Sequence, residues 1–442
     1  MSANAGLVFG IVMLLVGLPG VSSTQAQQSM PMTASPLSVL APAGGAVTGT
    51  PAEKRIAAAR KVLSTDPKRV DALNELALAL SRRARETGDP AFYKEAWAAT
   101  ERSLQIEAGN LEARKLQVWI LLGQHDFPRA VEAAEQINRT FPDDVLVYGF
   151  LADGYVELGK YAEAERAAQW MLDMRPGNVP GLTRAAHLRE LFGDHGGAVE
   201  LMDTAHQRTA DGEVEDRAWI LTQIAHLSLL TCRTDAAEQL LDNALTLFPN
   251  YHYGLAQLAE VRLQQGRASD AVAMRERHYA AAPHPENQYE LGVALERAGR
   301  SADARAAWQE FEAAARREMA GWDNANIELI YYYADHANRP ADALSLARSE
   351  SARRSDVRTL EALAWALHKN GQSREASLEM AKALAVGIKD PVSFYRAGAI
   401  AQAAGASGDA KRFLEESVSM CKSSKVADSA RALLGGMTTV AQ

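Results

Sequence analysis

Residues 142–176, PDDVLVYGFLADGYVELGKYAEAERAAQWMLDMRP, carry two helical patterns in succession, separated by Gly159-Lys160 and closed at each end by a proline. Leu151, Ala152 and Tyr155 recur at helical spacing before the glycine, and Ala164, Ala168 and Leu172 do so after it. Pro142 and Pro176 stand 34 residues apart, and so do Pro249 and Pro283. Each follows an apolar helical run, where a residue without an N–H stops the helix. Beyond Glu53 no sustained period-two alternation is found, so the class read from the chain is all-α.

The pattern returns in neighbouring segments. Leu221, Ile224, Ala225, Ala237 and Leu241 precede Pro249; Leu255, Leu258, Ala259, Gly266 and Ala271 precede Pro283. Later copies show Leu291, Gly292, Leu295, Gly299 and Ala304, then Leu360, Leu363, Ala364, Gly371 and Ala376, then Ala397, Gly398, Ala401, Gly405 and Ala410. In order and spacing these segments resemble the tetratricopeptide repeat, a helix-turn-helix unit. About ten units fit between the opening helix at Ala52 to Leu63 and a closing one at Lys425 to Leu434, the least regular lying near Arg83 to Pro90, Arg114 to Phe141 and Ala325 to Ala347. The resemblance implies a right-handed α-solenoid, in which single hairpins leave apolar faces that neighbours must cover, so that the whole array forms one body.

Four segments follow from this reading: a signal peptide over 1–26, a linker over 27–52, the solenoid over 53–436 and a disordered tail over 437–442. Ala5 to Val21 is uncharged and apolar, and Pro19-Gly20 with Ala26 beyond it suits a cleaved secretory signal, an uncleaved anchor being the alternative. The linker is rich in Ser, Thr, Pro, Gln, Ala and Gly. A periplasmic or secreted location is expected.

The chain carries 47 Lys and Arg against 55 Asp and Glu, a balance that lacks the basic footprint of a nucleic-acid binder. Gly154 to Lys160 has the spacing of a phosphate loop, but Tyr161 stands where a Ser or Thr must hold magnesium. His195-Gly196-Gly197 has no nucleophile elbow to accompany it. No catalytic residue, cofactor or metal site is assigned, and the chain is not read as an enzyme. His187 and His226 occupy matching positions on adjacent first helices, flanked in that series by Asp153 and Glu260; helix spacing of about 8–10 Å is wide for sharing one ion, and polar groove lining is the expectation. Cys232 and Cys421 lie about five units apart, on the order of 40–50 Å at one helix layer per unit, so no bridge between them is expected.

In the resembled family the first helices line a concave surface along which partners lie as extended peptides or helices. Mapped onto this chain, Trp219, Tyr253, Tyr289, Tyr332, Trp365 and Tyr395 fall at groove-facing offsets, together with His187 and His226, with Tyr332 and Trp365 foremost; the alternative is that several of these rings fill gaps between adjacent first helices. The Lys and Asn or Arg set by which such modules grip acidic chaperone tails is missing from any three successive units. The sequence therefore reads as an exported scaffold that binds a protein or peptide through its concave face. A polysaccharide-associated scaffold of an envelope export or assembly machine is the alternative, and a hydrolase with a loop-built site is an alternative of another class.

Overall fold

The structure, a computed structural model, describes residues 49–321 and 323–440. The signal segment and most of the linker lie outside the described residues, and so do the last two residues of the tail. Among the described residues there are twenty-two helices and no strand, and no helix is long and apolar enough to cross a membrane.

After α1 (Pro51–Thr65), ten antiparallel pairs follow one another. The first four are α2 (Val70–Thr87) with α3 (Ala91–Ile106), α4 (Leu111–Gly123) with α5 (Phe127–Thr140), α6 (Val145–Glu157) with α7 (Tyr161–Met174), and α8 (Val179–Leu191) with α9 (His195–Arg208). The next three are α10 (Val214–Leu230) with α11 (Thr234–Leu247), α12 (His252–Gln264) with α13 (Ala268–Ala281), and α14 (Pro285–Arg297) with α15 (Ser301–Glu318). Then come α16 (Asn326–Tyr331), continued by a π-turn over Tyr332–His336 and paired with α17 (Pro340–Ser351), α18 (Val357–Lys369) with α19 (Ser373–Leu384), and α20 (Pro391–Ala403) with α21 (Ser407–Met420). Helix α22 (Lys425–Val440) covers the last pair. The chain is thus an α-solenoid of ten two-helix units between an opening and a closing helix. The first helix starts at Pro51, inside the predicted linker, because Thr50 and Glu53 form a capping box around its N-terminus.

The pairing follows from residue size. Even-numbered helices are buried on nearly every side: in α6, Gly149, Phe150, Leu151 and Ala152 are buried in succession. Their partners bury one stripe, as α7 does with Ala164, Ala167, Ala168 and Met171. Close approach requires small residues: a Cβ on Gly154 would meet Val131 Cγ2 at 2.4 Å, and one on Gly398 would meet Leu414 Cγ at 2.6 Å. Side-chain caps at Asp144, Asn178, Asp356 and Asp390 fix where several first helices begin.

Within most units the turn between helices passes through one residue in the left-handed region. Glycine holds it at 159, 193, 266, 299, 371 and 405, whereas units two, five and eight place His125, Cys232 and Asn338 there at φ 58°, 60° and 51°. The substituted positions in units two and five carry side chains that reach the next turn of the superhelix. The solenoid winds so tightly that the intra-unit turn of unit n abuts the start of the first helix six units later. His284 bonds the Gly88 carbonyl, and His125 pairs with Asp323. Val357 N donates to Tyr161 Oη at 2.8 Å, Gly193 lies against Gly387, and Cys232 is disulfide-bonded to Cys421.

This corrects the reading of the cysteines. Their Cα atoms are 5.1 Å apart across 189 residues of chain. A unit-by-unit rise estimates distance along a straight rod; here six units complete one revolution, so the second turn rests on the first. The turn glycines record the same stacking. A Cβ on Gly159 or Gly193 would come within 2.5 Å of a carbonyl oxygen of the second turn, while nothing lies within 4 Å of one on Gly266, Gly299, Gly371 or Gly405.

Candidate functional site

Among the described residues the winding leaves several spaces, two of which are each bordered by two of the predicted groove residues. One lies on the superhelix axis, where first helices of both turns face each other around a cavity of about 200 Å³. The other is an open recess of about 380 Å³ bounded by the π-turn, α18, α20 and α22.

At one end the axis is closed by α2. Arg85 points across to Glu215 and Asp216 on α10, Arg82 Nη1 lies 2.8 Å from Glu213 Oε2, and Tyr251 Oη donates to Glu215 at 2.6 Å. His252 Nε2 donates to the Arg85 carbonyl at 2.9 Å. Burial pushes Asp216 up to about 6 against the pull of the Arg85 guanidinium, and burial pushes the His252 imidazole down to about 4.

The axial cavity is walled by charge: eight carboxylates, four Lys or Arg side chains and four histidines line it, with Phe127, Tyr161 and Tyr331 among them. His187 and His226 both belong to this wall, and both turn toward Glu190, at 3.9 Å from Nδ1 of the former and 3.0 Å from Nε2 of the latter. Burial opposes ionisation of Glu190, yet the two imidazoles hold it down to about 2. Glu190 in turn raises His226 against its own burial. Glu361, pushed up to about 7 by burial, has the Arg396 guanidinium 3.8 Å away. That guanidinium lies over the Tyr331 ring at 4.1 Å and donates to its hydroxyl at 2.7 Å. The other two residues of the predicted polar series are committed elsewhere: Asp153 to Arg184 at 2.5 Å and Glu260 to Arg275 at 2.5 Å. Among the described residues no three His, Cys, Asp or Glu side chains converge as a metal site.

The predicted aromatic series divides. Trp219 and Tyr289 are 2% and 0% exposed and pack inside the core, and Tyr332 is buried against Trp308 and Phe311. Tyr253 is half-buried beside His252 and Tyr251. These rings fill the space between neighbouring first helices. Trp365 and Tyr395 border the open recess, with Asp335, His368 and Lys369. Trp365 Nε1 donates to Asp335 Oδ1 at 3.0 Å, Lys369 Nζ lies 3.0 Å from the same oxygen, and the His368 ring lies tilted beside the indole, centroids 5.0 Å apart, with its Nδ1 unpartnered. Burial and the neighbouring ammonium depress the His368 pKa.

Sequence reasoning missed Glu190, which lies one helical turn from His187 and a single unit from His226, and it missed Glu157, Glu286, Glu361 and the His125–Asp323 pair, which share the axial cavity because the chain closes on itself. A signal was present: His125 and Cys232 stand at the register position that glycine holds in most other units, and a non-glycine residue there asks for a reason.

No family model and no curated protein matches the sequence. Solved structures do. The chain is similar over 86% of its length to the crystal structure of the APC/C hetero-tetramer Cut9–Hcn1, with 16% identity and a TM-score of 0.44, and spans 59% of that chain. It is similar over 45% of its length to PilW, described as a widely conserved type IV pilus biogenesis factor, with 14% identity, a TM-score of 0.39 and 91% of that chain covered. The human IFIT1 dimer with PPP-AAAA is similar over 85% of this chain and 96% of its own, with 12% identity and a TM-score of 0.46. The fold assignment stands on the helix pairing itself: this is an α-solenoid of two-helix units, wound into two stacked turns and bolted by a disulfide, and the order and spacing of its units resemble the tetratricopeptide repeat.

Proposed function

We propose that the chain is an exported scaffold that holds a peptide segment of a protein partner at the recess beside Trp365 and Tyr395. The observation that carries this reading is the recess itself, an open space bordered by two of the predicted groove residues, the half-buried Tyr395 and the buried Trp365. An indole and a phenol supply contact area at small entropic cost, and Asp335, His368 and Lys369 add polar groups that orient a bound chain. Export is supported by the Cys232–Cys421 disulfide, a bond that persists in oxidising compartments, and by the signal-like segment at Ala5 to Val21. Two stacked turns give the rigidity that a scaffold requires.

Site-specific photocrosslinking from Gln402, on the recess wall, in intact cells tests the reading. A discrete protein adduct is expected, and Tyr395→Ala should abolish it while the circular dichroism melt stays in place. Adducts from the outer surface at Leu378, with none from Gln402, would remove the recess as the docking point.

A further inference from the structure

We infer that the axial cavity is a binding site for a small organic cation carrying an ammonium or guanidinium group. Its carboxylates outnumber its Lys and Arg side chains two to one. Several are satisfied internally: Glu190 by the two imidazoles, Asp323 by His125, Glu328 by Arg358 at 3.4 Å, and Asp390 by the backbone N–H groups of Val392 and Ser393.

Three carboxylates in the wall are less well supported. Glu157 and Glu286 are half-buried; burial pushes both pKa values up, against the pull of Arg354 on the first and of His284 and its own backbone N–H on the second. Glu361 is only 7% exposed, and its Oε1 accepts no hydrogen bond at all. A buried carboxylate oxygen without a donor is costly unless a cation meets it, and the Arg396 guanidinium, 3.8 Å away, reaches only the other oxygen of Glu361. The three belong to different elements, α6, α14 and α18, so the negative charge is spread around the wall. Among the described residues no three ligating groups meet at one point, which fits a cation with several N–H donors spread over its length better than a metal ion. The cavity volume suits a molecule of that size, and Tyr161 and Tyr331 give it an aromatic lining.

The test is isothermal titration of the full oxidised chain with agmatine and with putrescine, and with sodium acetate as the anionic control, at about physiological ionic strength. Saturable binding of at least one of the two cations and none of acetate is expected, weakened about tenfold or more by Glu157→Gln and by Glu286→Gln, which keep the side-chain shape and should leave the melt in place. Absence of saturable binding by either cation to the wild-type chain overturns the inference and leaves a cavity that holds water alone. Wild-type affinity retained in a folded Glu157→Gln, Glu286→Gln double variant overturns it equally, since the cation would then sit elsewhere.

Discussion

His125 Nδ1 lies 3.1 Å from Asp323 Oδ1, although the two residues belong to units six apart in the array. Burial opposes charging of His125, but Asp323 outweighs it and raises the histidine pKa; burial likewise opposes ionisation of Asp323, and the imidazolium lowers it. Glu157 adds to the rise and Arg354 subtracts from it. A raised histidine stabilises fully below its unfolded pKa and loses that contribution as pH climbs through the folded value. A depressed aspartate stabilises above its unfolded value and loses the contribution as pH falls through the folded one. The pair therefore holds the two turns together best between the ordinary Asp and His values. Because Asp323 is partly exposed, its worth is below about 1 kcal/mol. The stability gap between wild type and His125→Gln should shrink as pH rises from about 6 to about 9, read by urea denaturation. A gap independent of pH would show that the pair does not titrate as described.

Gly193 and Gly266 offer a matched comparison. Both sit at nearly the same positive φ, 76° and 75°, so replacement by alanine strains each backbone by about 1–2 kcal/mol. Only at 193 would the new methyl lie 2.5 Å from the Gly387 oxygen and 2.9 Å from Lys389 Cγ. Gly193→Ala should thus be worse than Gly266→Ala by a further 1–3 kcal/mol or so, the usual range for overpacking. Equal losses in guanidinium melts would mean that the turns do not touch there.

Removing the bridge should loosen the second turn before the rest. A loop of 189 residues gives about 5 kcal/mol of stabilisation as an upper figure in the chain-entropy model, and measured values for disulfides usually fall at 2–4 kcal/mol. In Cys232→Ser, hydrogen exchange is expected to quicken around Ser355 to Arg358 and Gly387 to Asp390, the edges that rest on the first turn. Faster exchange confined to the amino-terminal units would contradict the order of release.

Arg85 closes the axis, and truncating it leaves Glu215 and Asp216 buried without their cation. Arg85→Met should cost about 3–5 kcal/mol, and adding Glu215→Gln with Asp216→Asn should recover much of it, because neutral amides carry no unpaired charge. A loss that the two neutralising changes do not reduce would assign the effect to packing alone.

What the sequence disclosed and what it withheld divide along a physical line. Hairpins are local: Gly398 against Leu414 or Gly154 against Val131 involves residues within a unit or its neighbour, so periodicity and the spacing of small residues reveal them. Even the irregular eighth unit has its cause nearby, in the short α16 and the π-turn at Tyr332–His336. Superhelical winding is a sum of small rotations over six units, and no single residue encodes it. That is why Cys232 and Cys421 read as distant and why the groove looked open along its length; Glu190, one helical turn from His187 and one unit from His226, lay within reach of local reading and was missed. His125 and Cys232 were the legible exceptions, since each accepts a backbone conformation that glycine takes without strain and uses its side chain to reach across.

The bridge also decides how the molecule answers to force. Drawn out by its two ends, the oxidised chain can pay out only the segments that precede Cys232 and follow Cys421, while the 189-residue span between them stays shielded behind a covalent clasp. Its full contour is shorter than that of the reduced chain by roughly 600–700 Å. Tension on a tethered copy would therefore spend itself on the amino-terminal units, leaving most of the second coil, with its recess, unstretched.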